Sequence, residues 1–208
     1  MARYFYDTEF VESGRTRSIE PLSIGIVSED GSREYYAQYT RGLVHALRHP
    51  WVREHVVPHL DHLESKTNPE GQTTITVCPG SSIYEGPGNG YCGLIGCPWK
   101  MDSEIAAEIQ VFMNPEKYGP VELWGYYADY DHVVLSQTFG TMMDLPKGFP
   151  MYTRDLKQWV DDLGAKRGEK IKLPEQTSTE HHALSDAKWN RNSFLRLKTG
   201  KFLEDLNL

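Results

Sequence analysis

One alternating segment near the start of the chain, Arg3-Tyr4-Phe5-Tyr6-Asp7-Thr8-Glu9-Phe10, reads as a β-strand and carries two carboxylates two positions apart. Side chains alternate along a strand, so Asp7 and Glu9 share one face. Carboxylates held side by side repel each other, and ionising both calls for a compensating cation. Oxygen donors on a rigid strand suit Mg²⁺ or Mn²⁺. Tyr4 and Tyr6 are expected to flank the pair on that face, which is then more than polar surface. Read alone, the pattern also describes two solvent-facing acids on an edge strand.

At 208 residues and 39% hydrophobic content, the chain suits one domain, residues 1–208, with a real core. No apolar run approaches a membrane span. The N-terminus enters a strand pattern directly, with no charged start, apolar stretch and cleavage site. A cytoplasmic protein is expected. Cys78, Cys92 and Cys97 are an odd set, and reduced thiols are the default. The formal charge of −7 argues against broad duplex binding, which needs a strongly basic surface. A short single strand needs only a local positive path.

Strands are expected over residues 3–10, 19–27 and 33–39, with Ser28-Glu29-Asp30-Gly31 as a hairpin turn, giving an antiparallel meander. A helix follows over Val44 to Val57 and stops before Pro58. From about 61 to 100, Pro, Gly, Thr, Ser and Asn dominate, which marks an ordered insertion. Beyond it, Asp102 or Ser103 caps a helix running to Phe112. Val121 to Tyr127 is strand-like, Asp131 to Phe139 helical, and Thr153 opens a further helix. A last helix spans His182 to Leu197. Strands followed by helices around a later strand indicate an α/β domain with a mixed sheet.

Three more residues have the chemistry to join Asp7 and Glu9. Asp131, in Tyr130-Asp131-His132-Val133, lies where a strand hands over to a helix, a place where an Asp projects over the carboxyl end of a sheet. It serves equally as a helix cap, a role also open to Asp129. His181 and Asp186 are five apart at the mouth of the last helix, with Ser178 or Thr179 as its cap. An imidazole with pKa near 6.5 accepts a proton from water at neutral pH. Surface decoration is the other reading of a lone His at a helix start.

Taken in order, Asp7-x-Glu9, Tyr130-Asp131 and His181-x4-Asp186 resemble the three motifs of the DEDDh 3′–5′ exonuclease family. The resemblance implies a ribonuclease H-like fold, a mixed central sheet flanked by helices. It also implies two divalent metal ions, Mg²⁺ or Mn²⁺. Asp7, Glu9 and Asp186 would hold one, Asp7 would bridge to the second, and Asp131 would support it. Two ions about 3.5–4 Å apart stabilise the attacking and leaving oxygens of an in-line displacement. His181 would be the general base, releasing nucleoside 5′-monophosphates from a 3′ end.

Arg3 to Phe10, Ile24-Gly25-Ile26-Val27, Glu122-Leu123-Trp124 and Tyr130 to Val133 further resemble the polyadenylate-preferring ribonuclease AS branch of that family. The likeness spans most of the chain outside the insertion. It implies single-stranded RNA as substrate, polyadenylate or short oligoribonucleotides, and a homodimer. One departure stands out: many members carry His-Asn-Ala where this chain has Tyr126-Tyr127-Ala128, so the polar Asn contact is missing. A proofreading-type DNA exonuclease is the first alternative, since ribose selection needs 2′-hydroxyl contacts. An inactive RNA-binding scaffold is the second, and the complete five-residue set weighs against it.

Candidate substrate contacts are Phe10, whose ring could stack on a base, with Trp124 and Tyr126 alternating toward Asp131. Thr8 and Ser23 are weaker candidates, and Trp124 also suits the core. Within the insertion, Cys78-Pro79-Gly80, Cys92-Gly93 and Cys97-Pro98 have the turn-forming neighbours of zinc loops. A structural zinc needs four ligands, so His55, His59 or His62 would complete the set. Buried thiols without metal are the other reading.

Overall fold

The computed structural model describes residues 1–12, 19–69, 73–78, 96–176 and 180–200. Strands β1 (Ala2–Glu12), β2 (Ile19–Ser28) and β3 (Glu34–Tyr39) form the expected antiparallel meander. The turn between β2 and β3 closes through Gly31, whose φ of 74° favours glycine. Helices α1 (Leu43–Arg48) and α2 (Pro50–His55) and a 3₁₀ turn (Val57–His59) come next. The single helix expected over 44–57 is thus broken. Pro50 biases His49 to extended backbone, φ −94° and ψ 110°. His49 then caps α2, its Nδ1 accepting from the Val52 amide at 3.3 Å.

The stretch from 61 to 100 contains a separate two-stranded hairpin, β4 (Leu63–Thr67) with β5 (Thr73–Val77). Short strand β6 (Trp99–Lys100) joins the main sheet beside β3. Helices α3 (Asp102–Met113) and α4 (Pro115–Tyr118) lead to β7 (Val121–Gly125). Helix α5 (Asp129–Phe139) is followed by β8 (Arg154–Asp155), α6 (Leu156–Arg167) and α7 (Ala183–Thr199). Start points differ from the sequence reading: α5 begins at Asp129 rather than Asp131, and α7 at Ala183 rather than His182. Asp155, not Thr153, caps α6, accepting from Gln158 N at 3.0 Å. Met101 precedes α3, and Glu104 accepts its amide at 2.9 Å.

The six-stranded sheet has the order β6-β3-β2-β1-β7-β8. The β1–β7, β7–β8 and β3–β6 pairs are parallel and the rest antiparallel, so the sheet is mixed. One face packs Tyr4, Tyr6, Ile24, Ile26 and Leu123 against α3 and α5 through Ile105, Ile109, Val134 and Leu135. The other packs Phe5 and Val27 against α6 and α7 through Leu156, Ala187 and Phe194. The two-residue period therefore puts Tyr4 and Tyr6 opposite Asp7 and Glu9. The expectation that the tyrosines flank the carboxylates is corrected.

Parallel pairing of β1 with β7 ends at Phe5 and Trp124, so β1 outruns its neighbour. From Asp7 on, that flank of the strand is open to side chains arriving from α5 and α7. The β1–β2 register slips between Glu9 and Phe10, where Ser23 and Pro21 are successive partners. Pro21 has no amide to give the ladder. Such irregularities re-aim side chains beside functional sites.

Candidate active site

Asp7, Glu9 and Asp186 each present a carboxylate oxygen, and these oxygens lie within 4.8 Å of one another. Asp7 and Glu9 come from β1; Asp186 comes from the first turn of α7. What lets the helix approach is Gly25, the register partner of Asp7 on β2. A Cβ there would stand closer than 3.0 Å to Leu184 N and to the Ala183 carbonyl. Glycine in a strand marks this kind of close backbone approach. The helix is also tied down by Asn190, whose buried Nδ2 donates to the Tyr6 carbonyl at 3.0 Å.

Asp131 reaches the same end of the sheet from the first turn of α5 and is only 5% exposed. Its Oδ1 accepts two hydrogen bonds from Thr8, from the backbone amide at 3.0 Å and from Oγ1 at 2.6 Å. The open flank of β1 makes that amide available. Entry to α5 is fixed by Asp155, whose Oδ2 accepts the Ala128 amide at 2.8 Å.

Electrostatics follow from this packing. Burial pushes Asp7 well above the carboxylate range, and the charges of Asp131, Glu9 and Asp186 add to it. Burial, then Asp186 and Asp131, raise Glu9 to about 8. Asp131 rises to about 7 through burial, although both Thr8 hydrogen bonds oppose the change. Asp186 rises to about 6 through burial, opposed by hydrogen bonds from the Gln176 side chain and from the His181 amide at 3.1 Å. Four acids thus share a pocket that resists their ionisation. A divalent cation is the chemical remedy for such a set, and an all-oxygen donor set fits Mg²⁺ or Mn²⁺.

His181 sits just before α7 with φ 68°, half-buried, and its ring meets the exposed Trp51 edge-on at 5.2 Å between centroids. Burial lowers its pKa below the usual imidazole value, with the neighbouring His59 and His55 acting in the same direction and Glu180 opposing. The helix cap is His182, whose Nδ1 accepts from Ser185 N at 3.4 Å. Ser178 and Thr179, expected as caps, lie outside the described residues. His182 also stacks on Tyr36 at 4.5 Å.

The structure thus brings Asp7, Glu9, Asp131 and Asp186 to one end of the sheet, with His181 at the helix start. Thr8 orients Asp131, and Ser23 is fully buried opposite Glu9. Phe10 is half-buried against Tyr130, with centroids 5.6 Å apart. Tyr126 lies past the end of β7, edge-on to Trp189 at 5.2 Å. Trp124 pairs with Phe5 in the β1–β7 register. Its half-buried ring packs against Trp159 and Phe194, and its Nε1 donates to Glu122 at 2.8 Å.

Sequence reasoning missed Gly25, Asp155, Gln176 and Asn190 as positioning residues. Two had signals: a glycine among β-branched residues, and an Asn four positions after Asp186, hence on the same helix face. Asp155 and Gln176 had none. Of the proposed zinc donors, His62, Cys78 and Cys97 come together, with one donor atom from each within 4.8 Å of the others. His55 and His59 lie instead near His181, and Cys92 lies outside the described residues.

A mixed sheet flanked by helices, with acids converging from β1, α5 and α7, defines a ribonuclease H-like α/β protein with a candidate metal cluster. The 3′-5′ exoribonuclease Rv2179c-like domain family matches residues 90–197. Two relatives from Mycobacterium tuberculosis are each 35% identical over 186 residues, covering 89% of this chain and 87% of theirs. They are 3'-5' exoribonuclease MT2234.1 of strain CDC 1551 / Oshkosh and 3'-5' exoribonuclease Rv2179c of strain ATCC 25618 / H37Rv. The chain belongs to this Rv2179c-like exoribonuclease family. Among the described residues, no helix is long and apolar enough to cross a membrane.

Proposed function

We propose that this chain is a metal-dependent 3′–5′ exoribonuclease of the DEDDh type, shortening single-stranded RNA to nucleoside 5′-monophosphates. One observation carries the reading: three carboxylates meet within 4.8 Å, and a fourth is held beside them by paired hydrogen bonds from Thr8. Asp7, Glu9 and Asp186 are the residues that would hold a divalent ion, with Asp131 supporting a second. When bound, such ions lower the pKa of a water and offset charge on the scissile phosphate.

The chain's own groups supply the rest. His181 is the general base, taking a proton from the attacking water on a ring nitrogen. Its lowered pKa keeps the imidazole neutral and competent below the usual range. Trp51 holds the ring edge-on, and the His181 amide ties the same residue to Asp186. Phe10 and the exposed Tyr130 form an aromatic surface next to the acids, suited to stacking on a terminal base. The resemblance to ribonuclease AS supports polyadenylate or short oligoribonucleotides as substrate, a homodimer and a cytoplasmic setting.

The test is a set of parallel time courses on 3′-intact labelled polyadenylate, mixed-sequence RNA and single-stranded DNA, with Mg²⁺ or Mn²⁺. Stepwise shortening of RNA from the 3′ end, fastest on polyadenylate, is the expected result. Equal rates on DNA would replace the reading with a proofreading-type exonuclease. Absence of any cleavage would remove it.

A further inference from the structure

We infer that His62, Cys78 and Cys97 form a zinc site that clips the insertion to the main sheet, chemically separate from the carboxylate cluster. The hairpin register pairs Leu63 with Val77, so His62 and Cys78 are the next positions outward, at its open mouth. They are joined there by a hydrogen bond from Cys78 N to the His62 carbonyl at 2.7 Å. Both have positive φ, 56° for His62 and 51° for Cys78. Side chains with a Cβ enter that region only at an energetic cost, so two in facing positions need a compensating interaction.

The donors themselves identify the ligand. Cys78 Sγ lies 3.0 Å from Cys97 Sγ, and one nitrogen of His62 completes a group whose atoms are within 4.8 Å of each other. Both thiols are buried, whereas His62 is exposed and gives access from solvent. Two sulfurs and an imidazole are a borderline-soft set that selects Zn²⁺, in contrast to the oxygen-only group of Asp7, Glu9 and Asp186. Zinc binds sulfur at about 2.3 Å and nitrogen at about 2.0–2.1 Å, so donors this close reach one ion with side-chain adjustment. Three protein donors leave the fourth tetrahedral position to a water, so the site is open on one side, unlike a closed four-ligand structural zinc.

The position explains what the ion would do. A two-stranded hairpin is marginal by itself, and a metal that spans residues 62, 78 and 97 closes its loops. Cys97 leads through Pro98 into β6, where the Pro98 carbonyl accepts from Gln38 N at 2.7 Å. Asp61, next to His62, accepts at its carbonyl from Trp99 Nε1 at 3.0 Å and from Gln38 Nε2 at 2.9 Å. Its carboxylate lies 3.9 Å from His182, the cap of α7. The clip therefore braces a wall of the candidate active site without contributing to its acids.

Metal analysis of protein grown with zinc, after exhaustive gel filtration, tests the site. About one zinc per chain is expected in the wild type and in Asp186→Asn, falling at least fivefold in His62→Ala and Cys78→Ser. Cobalt(II) exchanged into the wild type should show a thiolate charge-transfer band, a readout independent of how the variants fold. A wild type that takes up no zinc and gives no thiolate–cobalt band overturns the inference. So does a Cys78–Cys97 disulfide found by mass spectrometry of unreduced protein, or zinc that is lost in Asp186→Asn.

Discussion

Gly25 and Leu184 touch backbone to backbone, and a methyl group at residue 25 would fall under 3.0 Å from the Leu184 amide nitrogen. The mouth of α7 rests on β2 at this point, two residues before Asp186. Gly25→Ala must push the helix off the sheet, since backbone atoms have no rotamer to yield. Destabilisation of about 1–3 kcal/mol is expected. Activity should fall further than stability, because Asp186 leaves its partners. Thermal melting alongside turnover at a temperature where the variant is folded checks this; wild-type turnover would contradict it.

Thr8 has a different task. Its hydroxyl and amide both hold one oxygen of Asp131, and the hydrogen bonds oppose the rise in that residue's pKa. Thr8→Ala removes one of them and should cost about 1.5–3 kcal/mol as a bond to a charged group. Turnover should drop about tenfold or more. Thr8→Ser restores the hydroxyl, and kinetics on the two variants should differ accordingly.

The acid cluster makes the metal-free protein sensitive to pH in a defined direction. Asp186, Asp131 and Glu9 have folded-state values of about 6, 7 and 8, all above those of free carboxyls. The folded state therefore binds more protons than the unfolded state, and stability falls as pH rises through this window. Without divalent ions, Tm should decline between about pH 5 and pH 8.5. Millimolar Mn²⁺ should raise Tm little at the acidic end and by at least ~3 °C at the alkaline end, by mass action. A shift of equal size at both ends, read by differential scanning fluorimetry, would contradict the linkage.

His181→Ala separates binding from proton transfer. The side chain is not among the clustered oxygen donors, so the Mn²⁺-induced Tm shift should persist. Turnover should fall by about 10²–10⁴, the usual worth of a general base. Retention of full activity near neutral pH would end that assignment.

Trp124→Ala examines the opposite case. The ring packs on Trp159 and Phe194, and its Nε1 donates to Glu122. Loss of about 3–5 kcal/mol is expected from the cavity. KM for an RNA substrate should stay within about twofold of wild type, on protein shown to be folded; a selective rise in KM would return this residue to the substrate path.

Local rules made much of the molecule legible. Alternation over residues 3–10 and the Gly31 turn were enough for the meander, because strand period and turn chemistry act between near neighbours. The last helix, expected over His182 to Leu197, is α7, Ala183–Thr199. Pro50 was overlooked, although its effect on His49 is also local. The chemical order of Asp7, Glu9, Asp131, His181 and Asp186 was readable as motif and type. Convergence of the acids was not, since it depends on β1 outrunning β7 and on α7 crossing Gly25.

The amino-acid sequence alone therefore determined the elements, the acidic chemistry and the family likeness. Periodicity and residue type are properties of a chain at short range. Only the tertiary structure decided that Trp124 packs on Trp159 and Phe194, that Thr8 orients Asp131, and that His62 rather than His55 or His59 meets Cys78 and Cys97. Those outcomes turn on which faces and loop ends are brought together by packing between residues far apart in the chain. No local rule fixes that.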